Sequence, residues 1–567
     1  MKCSSEPSRS PEKQANVQTA PVLEARFVQP GRDMPTAEDL LSLPRVCDKI
    51  PHTIFFVVVA EMAERFTYRS LTGPMQNYIQ NPLHGSTHPG ALGKGQATAT
   101  AIGYFFTCWC YLTPILGAIV ADSWLGRYKT ILIGTITATV GVSVLFITSL
   151  PLSLENGAGF PGLVVALFII GLGAGGIKSN VGPLVAEQYT GKNPHISLDA
   201  RGRRVIIDPD ITIQTIFSRY YWIMNLGACS GLIAVWLELK VGFWGTFLVP
   251  LCIYALAVMV LIWGRKKYVV RPPEGSIVPN AVRALWMGFK NSRTMDTAKP
   301  SYQEARAGAS NIPWDDHFVE EIKIALTACR ILSPFPLFWL CHGTSIGNVI
   351  SLAGEMSTFG LPNDLLAGSV NPLSILILIP ILSVTPQVLV FLRSKHVLSG
   401  YLPSDRFLYP ALRRANIRFL PITRISFGFF FMAGAIALAA GLQSLVYSSP
   451  PESINFLWIF PIYILTAISE IFAFVTSMEY AYTKAPKSMK SLVASINLVL
   501  CAVGSLLGLA IAPTSTKPRV LVQFATLSGV MFVLAIAFYV VFSKYNKDEE
   551  KMNRVERQEN RTDTIAP

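Results

Sequence analysis

Charge is scarce in this chain. Of 567 residues only 15% are Asp, Glu, Lys or Arg, where a soluble globular protein carries roughly 25%, and that shortage speaks against a series of soluble domains. Cysteine is thin as well: nine residues lie scattered, most of them inside apolar runs, with no metal-ligand spacing. That pattern excludes a disulfide scaffold and offers nothing for metal or redox chemistry. No nucleophile–base set, nucleotide-binding loop or metal cluster can be picked out, so neither an enzyme nor a cofactor is expected. The first fifty residues are polar and Pro-containing, and they lack the basic, apolar and cleavage-site order of a secretory signal.

Long apolar runs are what the chain does have. A helix needs about 20 mostly apolar residues to cross the hydrocarbon of a bilayer. Such runs lie near 53–78, 97–118, 130–150, 161–183, 219–239, 242–263, 326–349, 367–391, 422–445, 457–478, 488–512 and 522–543. The sequence therefore predicts an all-α membrane protein with twelve transmembrane helices. Basic residues collect in alternate loops: Arg127 and Lys129, Arg201 with Arg203 and Arg204, Arg265 to Lys267, Arg393 and Lys395, Arg413 and Arg414, and Lys484, Lys487 and Lys490. The remaining loops hold little more than Lys94, Lys240, Lys517 and Arg519. By the positive-inside rule both termini are cytoplasmic. The net charge of +13 is then a topology signal, and no nucleic-acid partner is expected.

The longest polar interruption splits the runs six and six. The expected organisation is a cytoplasmic tail (1–50), a six-helix bundle (51–264), a cytoplasmic linker (265–320), a second six-helix bundle (321–543) and a cytoplasmic tail (544–567). Within the linker a lateral amphipathic helix is expected near 279–290 and loop over the rest. Residues 193–213 read as a solvated loop of mixed charge, and the tail as disordered beyond a short helical extension.

Several polar residues sit where an apolar helix should simply continue. In "EMAERFTYR" (61–69), residues three or four apart share a helix face, so Glu61, Glu64, Arg65 and Tyr68 form one polar stripe with Arg69 at its edge. Lipid neither solvates nor neutralises such a stripe, so it must face a bundle interior. Lys178 follows a glycine-rich stretch, Gly171 to Gly176, that allows close helix approach, and snorkelling to the interface is its plainer reading. Asn225 lies amid Trp222, Ile223 and Met224, where an amide can also serve as helix glue. Asn371 precedes Pro372, which frees a backbone carbonyl. Glu470 lies deep in an apolar run, costly unless paired, protonated or facing water. In the loop 117–131, Gly126 permits a tight turn and Asp122 can pair with a helix end or a basic group such as Arg127, an arrangement that stabilises one conformation. Glu479 reads as part of a gate or helix-end network beside Lys484, Lys487 and Lys490, and Glu187, beyond the Pro183 interruption, as a surface or gating residue.

The stretches "EMAERFTYR", the loop around Asp122, "FSRYYWIMNLGA", "ISLAGEMSTFGLPNDLL" with "NPLSI", and "SEIFAFVTSMEYAYTKAPKSMKSLV" span residues 61 to 493. Together they resemble the proton-dependent oligopeptide transporter family, most closely its fungal peptide permeases. The resemblance implies the major facilitator superfamily fold, twelve helices in two six-helix bundles. It also implies proton-coupled uptake of di- and tripeptides by alternating access, in a monomer of the plasma membrane, with the vacuolar membrane left open. Under it, Glu61, Glu64, Arg65 and Lys178 couple to protons. Arg65, Tyr68, Lys178, Asn225, Asn371 and Glu470 line the substrate site, with Glu470 meeting the peptide's amino terminus. Asp122, Gly126, Arg127 and Glu479 serve the gates.

Two departures stand out. Arg69 stands where the family pattern has a tyrosine, so it is either a specificity residue of the site or a cation turned into a local salt bridge. His342, Gly343 and Thr344 occupy the region where members carry an acid or an amide; His342 is either a proton-handling group or an uncharged packed residue. These leave open a carrier of nitrate, modified peptides or another peptide-like metabolite, and more distantly a receptor that has lost transport. Arg69→Tyr is expected to alter the substrate range or the pH dependence of uptake; an unchanged profile in uptake assays would mean that Arg69 is taken up in a local ion pair.

Overall fold

The computed structural model describes residues 39, 43–84, 88–191, 193–198, 202–273, 275–290, 294–307, 312–382, 421–486 and 489–563. Helices occupy the described part of every apolar run expected to be a span. Among the described residues nine are long and apolar enough to cross a membrane: Gly95–Leu125, Arg127–Thr148, Gly159–Glu187, Ile211–Lys240, Phe243–Gly264, Pro421–Ser448, Phe456–Ala481, Lys490–Thr514 and Arg519–Lys544. A tenth is the pair Asp316–Leu332 and Phe335–Ala353, bent by 42° at Pro334, where the ring cannot continue a helical hydrogen-bond ladder. By length and apolarity the count is thus nine or ten, not the expected twelve. The helix Thr53–Thr72 falls short because four charged residues interrupt it. Leu365–Leu382 is brief, and the rest of its expected span, 383–391, lies outside the described residues, as do Arg201, Arg393, Lys395, Arg413, Arg414 and Lys487.

The chain divides into two compact units, residues 1–49 with 191–212, and residues 50–190 with 213–567. The first holds a small sheet that the sequence reading missed. Strands β2 (His195–Leu198) and β3 (Arg204–Ile207) pair antiparallel in the tract read as loop, and β1 (Arg45–Val46) adds in parallel, giving the order β1-β3-β2. The turn at Gly202 takes a positive φ of 73°, open to glycine at no steric cost. Arg45 and Asp208 pair at 3.3 Å within this unit. A two-residue strand has too few positions for an alternating pattern to register.

In the second unit the buried apolar side chains form two clusters. One draws on residues 54–268, and the other on 281–538 apart from Tyr104, which joins it from the first half. Within the first cluster the helices Arg127–Thr148 and Gly159–Lys178 meet at glycine. A β-carbon at Gly134 would stand 2.8 Å from the Gly173 carbonyl oxygen, and one at Gly173 would stand 2.6 Å from that of Gly134. Small residues let helix backbones approach to van der Waals contact where lipid supplies no hydrophobic drive. Lys178, one helical turn beyond this contact, is thereby held close to its neighbours.

The linker contains the amphipathic helix, Ile277–Lys290. Its remainder is more ordered than the loop expected: a 3-10 turn, Met295–Ala298, and a helix, Pro300–Ala307, are present. Asp296 binds Lys299 at 2.8 Å and Lys323 at 2.5 Å; the hydrogen bonds from Lys299 and Lys323 hold its carboxyl down at about 2. Its stabilising contribution is therefore complete above the ordinary aspartate range and lost as pH falls through about 2. The last helix runs Arg519–Asp563, so the tail expected to be disordered is helical as far as Asp563.

Gly173→Leu is expected to lower the thermal stability of the detergent-solubilised protein strongly, since backbone on the facing helix cannot yield. Gly434→Leu, with nothing within 4 Å of its β-carbon, is the control and should be near neutral; equal melting temperatures for the two would refute the packing account.

Candidate functional site

The helix Thr53–Thr72 runs unbroken through its four charges because they find partners inside the protein. Glu61 and Glu64 have side chains only 2% exposed. Arg65 reaches both: its Nε lies 3.1 Å from Glu61 Oε1 and 3.0 Å from Glu64 Oε2. Glu64 Oε1 takes Lys178 Nζ at 3.1 Å, delivered by the last turn of Gly159–Lys178. Two acids and two cations thus balance in one cluster. The Lys178 ammonium also sits 4.8 Å from the Tyr68 ring centre and 5.9 Å from that of Tyr111, where the ring faces attract a cation. Snorkelling, the plainer reading of Lys178, is overturned: the cation points at a carboxylate and two rings. The cations are the accessible members, Arg65 with 29% and Lys178 with 12% of the side chain exposed. The acids lie behind them, and Glu61 Oε2 is buried with no hydrogen-bond partner.

A second charged group lies in the other half. Glu470 ends the helix Phe460–Glu470, and a wide π turn, Ile471–Val475, starts immediately after it; such turns re-aim side chains, often at functional sites. Glu470 Oε2 stands 3.3 Å from His342 Nε2. His342 packs edge-on against Trp339, ring centres 5.3 Å apart. The histidine at the departure from the family pattern is thus the acid's partner, which spacing along the sequence had no means of revealing. The charge of Arg69 also acts on the Glu470 carboxylate, and among the described residues Arg69 makes no ion pair of its own. The described residues thus give the local salt bridge no support. Tyr111 lies in the fields of both Arg65 and Glu470, so the two groups face a shared space.

A model of the POT family matches residues 128–390 and 382–528. The peptide transporter PTR_B of Candidozyma auris is 38% identical over 538 residues, covering 92% of this chain and 88% of that one. The peptide transporter PTR2 of Saccharomyces cerevisiae is 36% identical over 536 residues, covering 93% and 84%. The chain belongs to the POT family, the proton-dependent oligopeptide transporters. It is a transporter and not an enzyme. Among solved structures, the POT family transporter PepTSo superposes with a TM-score of 0.66 at 19% identity, covering 88% of this chain and 99% of that one, which fixes the fold as that of a multispanning, all-α carrier.

In this POT transporter the loop after Gly95–Val120 gathers a tight turn and three charged residues. Gly126 has φ 76°, a left-handed turn that costs glycine nothing. It swings Arg127 back to Asp122 at 3.6 Å and onto Glu187. Glu187, for which the sequence allowed a surface or gating role, is 9% exposed and pairs with Arg127. Glu479 behaves differently: it is exposed and, among the described residues, pairs with neither Lys484 nor Lys490. The third lysine of its expected network, Lys487, lies outside the described residues. Asn225 is half-buried. Asn371 is 1% exposed, and neither of its side-chain polar atoms has a hydrogen-bond partner.

Removing one partner of a buried ion pair strands the other charge, at a cost of roughly 3–5 kcal/mol. Lys178→Gln is expected to destabilise this transporter on that scale, and the double variant with Glu64→Gln far less than the sum of the two single changes. Thermal unfolding in detergent measures this, and additive losses would show that Lys178 and Glu64 are not coupled.

Proposed function

We infer that this POT transporter is a proton-coupled symporter that imports di- and tripeptides by alternating access. In this reading twelve helices form two six-helix bundles, residues 51–264 and 321–543, joined by the linker 265–320, with both tails cytoplasmic and the monomer as the working unit in the plasma membrane. The observation that carries it is the charge-balanced cluster of Glu61, Glu64, Arg65 and Lys178, acids inward and cations toward the cavity, set opposite Glu470. A zwitterionic peptide needs cations at its carboxylate and an anion at its ammonium, and the two halves supply one each.

The chemistry follows from the balance. With all four groups ionised, Arg65 and Lys178 are held by the acids and have little to offer a carboxylate. A proton on Glu61 or Glu64 leaves one positive charge in excess, and the released cation binds the peptide carboxylate through charge-assisted hydrogen bonds. Glu470 exchanges His342 for the peptide ammonium. Tyr68, Asn225 and Asn371 line the space between, and the unpartnered amide of Asn371 is free to meet the peptide bond. A potential negative inside adds about 2.3 kcal/mol per 100 mV for each charge moved. The Asp122–Arg127–Glu187 latch belongs to the inner loops.

Hydrogen bonds join the two halves at the end read as external: Gln76 to Ser351 at 3.0 Å, Asn77 to Asn363 at 2.8 Å, Thr100 to Asn348 at 2.8 Å and Tyr104 to Thr344 at 2.8 Å. The conformation is then the one shut outside. Arg69 favours a second reading, a peptide-like metabolite with more negative charge than a dipeptide. One solved POT family transporter is in complex with 5-aminolevulinic acid, and a relative 32% identical is named MFS-type transporter ucsM, from an Acremonium species.

Reconstitution into vesicles with imposed pH gradient and voltage tests the proposal. A labelled dipeptide should accumulate with an inward proton gradient, be competed by other peptides and not by nitrate, and lose accumulation in Glu64→Gln. Glu470→Gln should raise KM about tenfold or more for peptides with a free amino terminus, the loss of a charged hydrogen bond worth about 1.5–3 kcal/mol, and leave N-acetylated peptides unchanged. Nitrate-driven or proton-independent flux would refute the symport of peptides.

A further inference from the structure

The stretch "GLPNDLL" was absorbed by neither the cargo site nor the coupling cluster, yet it carries a fully buried acid. Asp364 is 0% exposed and opens the helix Leu365–Leu382 of the second half. Against it lies Glu238 of the first half, 3% exposed, in the helix Ser230–Lys240. The two carboxyl groups are within hydrogen-bonding reach of each other. Yet Glu238 Oε2 and both Asp364 carboxyl oxygens have no donor. Two carboxylates offer only acceptors, so the contact becomes a hydrogen bond only when one of them carries a proton.

Among the described residues the neighbouring side-chain amides are committed elsewhere. The Asn77 amide spends its two N–H groups on Glu238 Oε1 at 2.9 Å and Asn363 Oδ1 at 2.8 Å. The Asn363 amide is turned to Asn77 Oδ1 and the Ile350 carbonyl. The titratable groups nearby supply no cation: Tyr463, from Phe460–Glu470, lies in the field of Asp364. Lys240 and His88 line the outer groove with Glu238, but His88 is engaged by the Gly354 carbonyl at 2.9 Å. Lys517 is bound to Glu355 at 3.1 Å. Two turns along, a β-carbon at Gly231 would stand 2.8 Å from the Gly368 carbonyl oxygen, so the helices bearing the two acids meet backbone to backbone.

We propose that Glu238 and Asp364 hold one proton between them and form a second proton-binding site, a pH-sensitive clasp that keeps the two halves closed at the external end. The proton joins the halves by a carboxyl–carboxylate hydrogen bond. Its loss leaves two adjacent negative charges on side chains that are 3% and 0% exposed, which repel and part the helices. External acid therefore favours closure over a loaded cavity, and a neutral or alkaline exterior favours reopening. This rests on the inside–outside orientation and alternating access inferred above, and it assigns to protons a gating role separate from the cluster around Arg65.

The test reads gate separation and needs no cargo, so its failure is distinguishable from failure of peptide import. Spin labels at Asn156→Cys and Glu452→Cys, both exposed on external loops of opposite halves, would be placed in the full-length protein in lipid nanodiscs, with the exposed Cys47 and Cys252 replaced by serine. Pulsed dipolar spectroscopy would follow their distance from about pH 5 to about pH 9, the range a buried carboxyl can reach. The parent protein should show a short distance in acid and a growing long-distance population in alkali. Asp364→Asn, which puts a permanent donor in the proton's place, should stay short throughout, and Glu238→Gln should do the same if the first variant folds poorly. A pH-invariant parent distance overturns the proposal, and so does an alkaline opening that survives in either folded variant.

Discussion

Ionised side chains in a low-dielectric interior have to be neutralised where they stand, and the cluster around Arg65 is the place where this chain meets that demand. Glu61 and Glu64 are almost fully buried, and each is within about hydrogen-bond distance of a cation. The close packing of Gly134 against Gly173, the ring of Tyr68 under Lys178 and the unbroken course of Thr53–Thr72 all serve that neutralisation. An exactly balanced group is also one that a single proton unbalances. In the proposed mechanism, structural necessity and coupling are the same arrangement.

The charge logic differs from one end of the molecule to the other. In the cluster each acid has its cation. At Glu470 the partner is a histidine at 3.3 Å, a group that can be neutral or charged near physiological pH, with Arg69 as a standing positive charge nearby. At Glu238 and Asp364 there is no cation, and a proton is the counter-charge that fits. Three acidic sites with three kinds of partner give protons different effects in different places, which suits a carrier that must both bind cargo and change shape.

Much of the fold was legible in one dimension. Apolar runs separated by charged loops mark membrane helices because lipid enforces length and composition, and described helices occupy those places. The stripe of Glu61, Glu64 and Arg65 was legible because helical spacing alone puts residues four apart on one face. The small sheet was not, since β1 is two residues long and its pairing with β3 is set by contacts 161 positions away. Glu479 shows the converse: a run of nearby lysines suggests a network, but the described part of its helix leaves it exposed and apart from Lys484 and Lys490, because helix orientation decides whether side chains meet.

The sequence by itself determined the solvent in which the chain lives, because that follows from composition and the length of its apolar runs, while its motifs carried the resemblance to the family. Only the tertiary structure decided who pairs with whom: Lys178 with Glu64, Glu187 with Arg127, His342 with Glu470, and Glu238 with Asp364 across 126 positions of chain. Each of these contacts joins different helices. A helix periodicity fixes which face a residue occupies and says nothing about which neighbour that face will meet.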